Sequence, residues 1–317
     1  MANLEDAAHF LRGADKILIL SHRSPDGDTL GCASALSRAL IALGKSVMFR
    51  CADPVPPKFT YLFEGIEYGE FEPEHIVTVD VADKTLLGSL EPYGDKTDFA
   101  IDHHASCRPF AKETWVEGTA GAACELIARL IPALGAEITP EIADCLYTGI
   151  ATDSGCFKYS NTSPQTHVYA AELMKLGADI VPINYAMFDM KSQGRLKLEQ
   201  LALSKIRYYS SGRIAVIDVT QSLIDSIDGI DSEDVGALSA IPRQIEGVDI
   251  GICIKEKNPG FYKVSLRSSE NADVAAIAQQ FGGGGHARGA GCAFETSLED
   301  GEKQIVWACA KAQGNAT

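Results

Sequence analysis

Short apolar segments alternate with segments of helical periodicity in the first half of the chain, and this alternation constrains the fold more than any other feature. The apolar segments are rich in β-branched residues, which predicts strands at 16–22, 46–52, 75–82 and 98–104. Between the first two strands lies TLGCASALSRALIALG, whose apolar residues recur at helical spacing. Further helices are expected at 119–134, 139–151 and 164–176. A strand, a helix and a strand in succession predict a parallel sheet with helices on both faces.

The second half of the chain has a different pattern, with strands joined by tighter turns and followed by the helical segment DVAAIAQQF. A length of 317 residues is enough for two α/β domains, each with its own core. We therefore predict a first domain at 1–187, a polar linker at 188–199 and a smaller mixed-sheet domain at 200–317. The cleft between the two domains is the expected place for an active site.

Charge and cysteine content narrow the class of protein. The formal charge of −15 opposes binding along duplex nucleic acid, although a small anionic substrate remains compatible if cations gather locally. The nine cysteines are scattered singly without a CxxC pair, which is typical of reduced thiols in the cytosol. No apolar run approaches the roughly 20 residues of a membrane span, and the N-terminal segment lacks the pattern of a signal peptide. We therefore expect a cytoplasmic protein with no membrane partner.

Acidic residues and histidines cluster where the predicted strands end. The carboxyl ends of parallel strands form the ligand-binding edge of an open sheet, so these clusters are expected to lie within a few ångströms of one another. Without a cation their carboxylates would repel each other, whereas divalent cations would turn the clusters into a site. The four clusters, all assigned to strand ends, are His22 with Asp26 and Asp28, then Asp80, then Asp102 with His103 and His104, and finally Asp153 in YTGIATDSGCF.

The types of ligand indicate the class of metal. Aspartate oxygens with a minority of imidazole nitrogens suit Mn²⁺, with Mg²⁺ and Fe²⁺ as alternatives. The donors suffice for two ions about 3.5–4 Å apart, which would activate a water molecule for phosphoester hydrolysis. Structural explanations exist for single residues, since Asp28 could cap the following helix and His22 alone is more typical of a core histidine. The four clusters together have no common structural explanation.

A glycine-rich stretch, FGGGGHARGAGCAF, is the second informative segment. Consecutive glycines leave the backbone free to approach a ligand and to point N–H groups at an anion, although a flexible turn is the alternative. His286 and Arg288 add imidazole and guanidinium donors. Further cations that an anionic substrate would need precede the stretch, at Arg243, Lys255, Lys257, Lys263 and Arg267.

These motifs together resemble the DHH/DHHA1 phosphoesterase family. SHRSPDGDTLGCASAL, TVDVAD, AIDHHAS and GIATDSGCFKYSNTS resemble the four motifs of its first domain, and GGGGHARGAG resembles the signature of its DHHA1 domain. The match spans nearly the whole chain in the expected order. Within the family the compact two-domain layout most resembles the NanoRNase subgroup, which degrades very short oligoribonucleotides and can dephosphorylate 3′-phosphoadenosine 5′-phosphate. One departure is Cys107 after Ser106, where the family often has Asn, which puts a minor contact in doubt.

The resemblance also implies a role for each motif residue. One metal would be held by His22, Asp26 and Asp80, and the other by Asp28, Asp80, His103 and Asp153, with Asp80 bridging. Asp83 also lies near Asp80 but past the strand end, so Asp80 is the expected ligand. The catalytic residues would be Asp80, Asp102, which orients its neighbours, and His104, which faces the scissile phosphate. The substrate would be bound by His104, Arg267, His286, Gly283, Gly284, Gly285 and Arg288.

The activity that the resemblance implies is Mn²⁺-dependent hydrolysis of short RNA, including dinucleotides and pApA, to nucleoside 5′-monophosphates. Action on 3′-phosphoadenosine 5′-phosphate is a further expectation. Three alternatives stay open at this stage: a cyclic-dinucleotide phosphodiesterase, an inorganic pyrophosphatase, and a non-catalytic nucleotide sensor or RNA-binding module. The sequence also leaves open whether the chain forms a homodimer.

Overall fold

The computed structural model describes residues 1–230, 232–269 and 272–314, and it divides the chain into two compact units. The units are Met1–Met190 and Lys191–Thr317, so the boundary falls inside the segment 188–199 that the sequence analysis assigned to a linker. In the described part of the chain, no helix combines the length and the hydropathy needed to span a bilayer.

The first unit contains a five-stranded sheet and several helices. Its strands are β1 (Ile17–Leu20), β2 (Val47–Arg50), β3 (His75–Val79), β4 (Phe99–Asp102) and β5 (Glu113–Val116). Its α-helices are α1 (Leu4–Gly13), α2 (Gly27–Ala42), α3 (Ala123–Leu134), α4 (Pro140–Asp153), α5 (Pro164–Lys175) and α6 (Ile180–Asn184). Two 3₁₀ segments, Pro57–Phe63 and Lys84–Lys96, and a π-helical turn, Tyr185–Asp189, complete the unit.

The sheet of the first unit is parallel throughout, with the strand order β2-β1-β3-β4-β5. Alternate residues of β1 serve two cores: Ile17 and Ile19 pack with helices α1 to α4, whereas Leu18 and Leu20 pack with the 3₁₀ segment that contains Leu87. The predicted parallel α/β sheet is therefore confirmed. The short edge strand β5 was not predicted, because four residues of mixed polarity carry too little periodicity.

Helices α2 and α4 cross at very short range because glycines replace side chains at the crossing. A Cβ added to Gly31 of α2 would lie 2.5 Å from the carbonyl oxygen of Cys145 in α4. A Cβ on Gly149 of α4 would lie 2.2 Å from Sγ of Cys124 and 2.8 Å from Oδ1 of Asp28. These distances leave no room for a methyl group. The crossing therefore brings the first turn of α2 against the last turns of α4.

The second unit contains a six-stranded mixed sheet. Its described strands are β6 (Arg207–Tyr209), β7 (Ile214–Val219), β8 (Ile250–Asn258), β9 (Phe261–Ser268), β10 (Gly284–His286) and β11 (Gly289–Glu295). Its described α-helices are α7 (Gln193–Leu203), α8 (Gln221–Asp225), α9 (Ser232–Ala237), α10 (Val274–Gln279) and α11 (Leu298–Ala312), with a 3₁₀ segment at Leu238–Gln244.

The strand order of this sheet is β10-β11-β9-β8-β7-β6, and only β7 and β8 run parallel among its described pairs. One face packs against α10 and α11, and the other face of β7 and β8 packs against α7, α8 and α9. The prediction of a mixed-sheet α/β domain is confirmed. The glycine-rich stretch forms the hairpin β10–β11, which composition alone did not predict because glycine is depleted in strands.

The nine cysteines are all free thiols, as the sequence analysis expected. Most of them are buried, including Cys32 and Cys124, whose sulfurs lie 3.4 Å apart next to the α2–α4 crossing. They act as small apolar side chains of the core.

Gly31→Ala tests the helix crossing. The new methyl group would meet a backbone carbonyl, so α2 and α4 must separate and the free energy of unfolding should fall by about 1–3 kcal/mol. Denaturant unfolding of the full chain, followed by circular dichroism, measures the change. Gly13→Ala is the matched control, because an added Cβ there meets no atom within 4 Å. This control variant should have an unchanged free energy of unfolding or a gain of up to about 1 kcal/mol. An unchanged midpoint for Gly31→Ala would contradict the close crossing.

Candidate metal centre

The loop between β1 and α2 brings His22 and Asp26 to the carboxyl edge of the sheet. Asp26 is the N-cap of α2, and its Oδ1 accepts hydrogen bonds from the N–H groups of Asp28 (3.0 Å) and Thr29 (3.2 Å). The loop passes through Ser24 in the left-handed region, and the N–H of Ser24 donates to Oδ2 of Asp53 at 2.7 Å. Asp53 therefore holds this loop in place. The sequence analysis missed it, because an acid in a polar loop carries no distinctive signal.

Asp28 is fully buried in the first turn of α2. Its carboxylate accepts hydrogen bonds from the N–H groups of Ala123 (2.6 Å) and Cys124 (2.9 Å), at the start of α3. Asp28 therefore supplies the side-chain cap that Ala122, the N-cap of α3, lacks. The alternative that Asp28 caps its own helix is wrong, because Asp26 occupies that position and turns Asp28 inward.

Asp80 follows the last residue of β3 and is 3% exposed. Its φ of 57° lies in the left-handed region, which aspartate tolerates better than most residues but which still costs free energy. This turn directs the two carboxylate oxygens toward different histidines. Oδ2 lies 3.6 Å from Nε2 of His22, and Oδ1 lies 3.6 Å from Nε2 of His103.

Asp102, the last residue of β4, and the two histidines that follow it have three different environments. Asp102 is fully buried, and its Oδ1 accepts a hydrogen bond from Nδ1 of His104 at 2.8 Å. His103 is 9% exposed, and its Nδ1 donates to the carbonyl oxygen of Ala120 at 3.1 Å. The side chain of His104 is 44% exposed. Asp102 thus orients His104, while His103 turns inward toward Asp80.

Asp153 reaches the same place from a helix. It is the last residue of α4, so its assignment to a strand end was wrong, although the structure does bring it to the edge expected. Its Oδ2 lies 3.5 Å from Nε2 of His103 and accepts a hydrogen bond from Nδ2 of Asn161 at 3.2 Å. Asn161 was also missed as a supporting residue, although it lies within the motif that suggested the family.

Four groups of three possible donor atoms lie within 4.8 Å of one another in the described part of the chain, and two of them share no residue and match the expected ligands: His22, Asp26 and Asp80, and Asp28, His103 and Asp153. Both histidines are held in the tautomer that a metal ligand needs. A carbonyl oxygen can only accept, so Nδ1 of His103 donates to Ala120 and Nδ1 of His22 donates to Arg23 (2.8 Å). In each ring Nε2 is left facing carboxylates.

The buried polar atoms between these groups also fit a bound cation. Neither Oδ1 of Asp80 nor Nε2 of His103 has a hydrogen-bond partner among the described residues, although both are buried. Unpaired buried polar atoms are rare in folded proteins and call for an explanation such as an ion. Carboxylate and imidazole donors suit a divalent cation of the Mn²⁺ or Mg²⁺ type. The residues present therefore fit a centre for divalent metal ions.

The electrostatics of the protein without metal reflect the crowding of carboxylates. Burial, followed by the negative charge of Asp28, raises the pKa of Asp80 to about 8. The same two causes raise the pKa of Asp153 to about 7. Burial alone would lower the pKa of His22, but the carboxylates of Asp26 and Asp80 outweigh it and raise that pKa to about 11. Protons therefore neutralise the edge when no cation does.

Apart from His104, the predicted substrate residues lie in the second unit, where the structure aligns two of them. Arg267 of β9 is in register with Gly289 of β11, which is in register with His286 of β10. In-register residues of neighbouring strands point to the same face, so Arg267, Gly289 and His286 share one face of the sheet. The guanidinium Nη1 of Arg267 lies 3.3 Å from where a Cβ on Gly289 would be. The absence of a side chain at Gly289 therefore leaves room for the guanidinium of Arg267 over this strand.

The remaining predicted substrate residues have local explanations of different strength. An added Cβ on Gly283 or Gly285 would collide with β11, so packing of the hairpin requires both glycines. Gly284 has open space where a Cβ would be. Nη1 of Arg288 donates to the carbonyl oxygens of Ser269 (2.8 Å) and Ala272 (2.9 Å), which ties the hairpin to the preceding loop.

Comparison with known proteins identifies the family to which this arrangement belongs. The model of the N-terminal domain of the DHH family matches residues 16–150, and the model of the DHHA1 domain matches residues 219–311. The bifunctional oligoribonuclease and PAP phosphatase NrnA of Thermus thermophilus is 30% identical over 285 residues, which cover 88% of this chain and 84% of that protein. The chain belongs to the DHH–DHHA1 family.

Two further relatives agree with this assignment. The bifunctional oligoribonuclease and PAP phosphatase NrnA of Mycoplasma genitalium is 28% identical, over 96% of this chain and 98% of that protein. The crystal structure of an exopolyphosphatase-related protein from Bacteroides fragilis is similar with a TM-score of 0.85 and 26% identity, covering 97% of this chain and 96% of that one. The resemblance drawn from the sequence motifs is therefore confirmed for the DHH–DHHA1 family.

The pKa shifts predict how metal binding depends on pH. Asp80, Asp153 and His22 all bind protons more tightly in the folded metal-free protein than in the unfolded chain. The free energy of unfolding of the metal-free protein should therefore fall as pH rises. Asp80 contributes to this fall between about pH 4 and pH 8, and His22 contributes above about pH 6.5. A cation competes with these protons, so 1 mM MnCl₂ should raise the melting temperature more at pH 8 than at pH 6. Equal increases at both pH values would contradict this arrangement.

Asp80→Asn tests the residue whose carboxylate oxygens face His22 and His103, one histidine from each group of donor atoms. Asparagine tolerates the left-handed conformation, so the variant should fold, and without metal at pH 8 it should be at least as stable as the wild type. Calorimetric titration with Mn²⁺ should show a loss of affinity of at least about tenfold. Asp83→Asn is the matched control, because the Asp83 carboxylate accepts hydrogen bonds from Thr85 and pairs with Arg108, away from both groups of donor atoms. Wild-type affinity in Asp80→Asn, or a comparable loss in Asp83→Asn, would refute the assignment.

Proposed function

We propose that the protein is a two-metal phosphodiesterase that hydrolyses very short oligoribonucleotides, dinucleotides and pApA included, to nucleoside 5′-monophosphates. We further propose that it removes the 3′-phosphate of 3′-phosphoadenosine 5′-phosphate. The observation that carries the proposal is Asp80, whose two oxygens face the two donor groups at 3.6 Å from His22 and His103. The relatives named as bifunctional oligoribonuclease and PAP phosphatase support this choice of substrate.

The metal ligands that we propose are His22, Asp26 and Asp80 for one ion, and Asp28, Asp80, His103 and Asp153 for the other. When bound, two divalent cations lower the pKa of a water molecule and neutralise charge on a phosphate. Mn²⁺ is the cation we expect, with Mg²⁺ and Fe²⁺ as alternatives. Asp28 is held by two backbone N–H groups and His103 by a backbone carbonyl, so these ligands need little rearrangement.

His104 is the residue that we assign to the substrate phosphate in the first unit. Its Nδ1 is taken by Asp102, so Nε2 is the nitrogen available to a ligand, and the side chain is 44% exposed. The hydrogen bond with Asp102 is the main cause that raises the pKa of His104 to about 9. In the metal-free protein the ring therefore carries a proton at neutral pH, and Nε2–H is placed to donate a hydrogen bond to a phosphate oxygen.

The second unit supplies the remaining substrate contacts in this proposal. Arg267 and His286, on either side of Gly289, form the row of hydrogen-bond donors that receives a terminal phosphate or a nucleotide. Gly284 is exposed and has open space where a Cβ would be, so the backbone there can approach an anion closely. We keep Gly283, Gly285 and Arg288 in the proposed site as the residues that fix the hairpin. We place the activity in the cytosol, where the nine free thiols stay reduced, and a homodimer stays a prediction.

A substrate panel tests the proposed function. It comprises 5′-labelled RNAs of about two, five and 24 nucleotides, pApA, cyclic di-AMP, 3′-phosphoadenosine 5′-phosphate and pyrophosphate, each with MnCl₂ and with EDTA. We expect metal-dependent hydrolysis of the dinucleotide at least about tenfold faster than of the longest RNA, which corresponds to 1.4 kcal/mol in the barrier. Pyrophosphate should be spared. Product analysis should show nucleoside 5′-monophosphates.

Two variants complete the panel. Asp80→Asn should be inactive on every substrate, which excludes a contaminating nuclease, and Asp83→Asn should retain activity. A strong preference for pyrophosphate or for cyclic di-AMP would show that the substrate is wrong while leaving the metal centre intact. Absence of turnover with Mn²⁺ on the whole panel would favour a non-catalytic nucleotide sensor.

A further inference from the structure

Tyr159 lies on the loop that leaves the metal centre after Asp153. Its side chain is 62% exposed. Single exposed aromatic residues are common on protein surfaces, so exposure alone assigns no function. The way the loop holds this ring is what sets Tyr159 apart.

The ring of Tyr159 covers Gly155 with one face. A Cβ added to Gly155 would lie 2.4 Å from Cζ, 2.5 Å from Cε2 and 2.6 Å from Cε1 of Tyr159. Because these three distances are nearly equal, the Cβ position lies over the flat face of the ring and not beyond its edge. One face therefore packs on the backbone two residues after Asp153, and the exposed surface of the ring includes the opposite face.

The backbone beneath the ring is strained. Gly155, Cys156 and Phe157 are three consecutive left-handed residues, with φ values of 58°, 56° and 62°. Only the first is a glycine, so two residues with side chains are held in a conformation that costs free energy. Strain of this kind persists where surrounding contacts over-determine it, and it concentrates at functional sites.

The surrounding contacts tie the loop to the metal centre. Asn161 donates from Nδ2 to both the carbonyl oxygen (3.1 Å) and Oδ2 (3.2 Å) of Asp153. The carbonyl oxygen of Ser154 accepts from the N–H of Tyr159 at 3.0 Å. The ring of Phe157 stacks on His167 with centroids 5.0 Å apart. The position of the Tyr159 ring is thus fixed relative to a proposed metal ligand.

We propose that Tyr159 stacks on one of the two bases that flank the scissile phosphate. This inference rests on the proposed function, because it takes the substrate to be a short oligoribonucleotide. Unpaired nucleotides present base faces that stack on aromatic side chains, and such stacking accepts any base. A pre-positioned tyrosine face beside the metal centre would therefore place the phosphodiester for attack without selecting the sequence. Tyr159 is a specificity-determining residue for nucleotides over base-free phosphoesters.

The test is a double-mutant cycle in which the ring of Tyr159 and a base of the substrate are removed separately and together. The kcat/KM of the wild type and of Tyr159→Ala is measured with Mn²⁺ on 5′-phosphorylated diadenylate and on two analogues, each abasic on one side of the phosphodiester. On diadenylate the wild type should exceed Tyr159→Ala by about 5- to 150-fold, the range to which stacking of about 1–3 kcal/mol per base converts. The ratio should fall to about 1 on the analogue that lacks the stacked base and persist on the other. Tyr159→Phe and Tyr159→Trp should behave like the wild type.

Two controls separate stacking from a structural role. Tyr159→Ala should show the wild-type Mn²⁺-induced increase in melting temperature, and Tyr208→Ala, which removes an exposed tyrosine on the edge strand β6, should lose no activity. Equal ratios on all three substrates would overturn the inference. If the wild type hydrolyses none of them, the proposed function fails. Tyr159 is then judged by equilibrium binding, where Tyr159→Ala should weaken binding of diadenylate but not of one abasic analogue, and equal effects on all three would overturn the inference.

Discussion

The repulsion among carboxylates at one edge of a parallel sheet is the constraint on which the structure of the first unit depends. Asp28, Asp80 and Asp153 approach the same histidine, His103, within 3.5–3.8 Å. Two of these carboxylates are almost wholly buried, where each charge is costly unless it is paired. Such an edge is stable only with protons or cations between the oxygens, so folding is linked thermodynamically to the binding of protons or cations.

The chain opposes this repulsion with fixed dipoles more than with basic side chains. The N-terminus of α3 points two N–H groups at Asp28, and the N-terminus of α2 points two at Asp26. Helix N-termini stabilise negative charge without adding a mobile cation that would compete with a metal ion. Backbone carbonyls orient His22 and His103 in the same way. The edge is therefore prepared by backbone geometry, which substitutions of surface residues leave intact.

Much of the first unit could be predicted from the sequence because its signals are local. The apolar strands and the amphipathic helices carry their own periodicity, and parallel topology places the strand ends together. Asp153 shows the limit of this reasoning, since it arrives from the end of α4 through a helix crossing that depends on Gly31 and Gly149. Glycines that permit close approach of distant segments leave no periodic signal. Asp53 and Asn161 were not predicted for the same reason. The partner of Asp53 lies far away in the sequence, and the partner of Asn161 lies across the turn of a loop.

The glycine-rich stretch marks a second limit. Its composition indicated a ligand loop, and its folded form is a narrow hairpin in which some glycines serve packing and others leave open space. Composition cannot separate these two uses, because both require the absence of a side chain. The register of β9, β11 and β10 is what distinguishes them, since it places Arg267 and His286 on either side of Gly289.

The close crossing of α2 and α4 has a consequence for how this protein can change. Asp28 and Asp153 are carried by the two helices whose separation Gly31 and Gly149 set. Any substitution that widens the crossing would move two carboxylates apart along with the core. The residues that determine packing density and those that we propose as metal ligands are thus not separable in this unit. A substitution selected for binding a different ion would change the packing of the core. A substitution selected for a more stable core would change the positions of the proposed ligands.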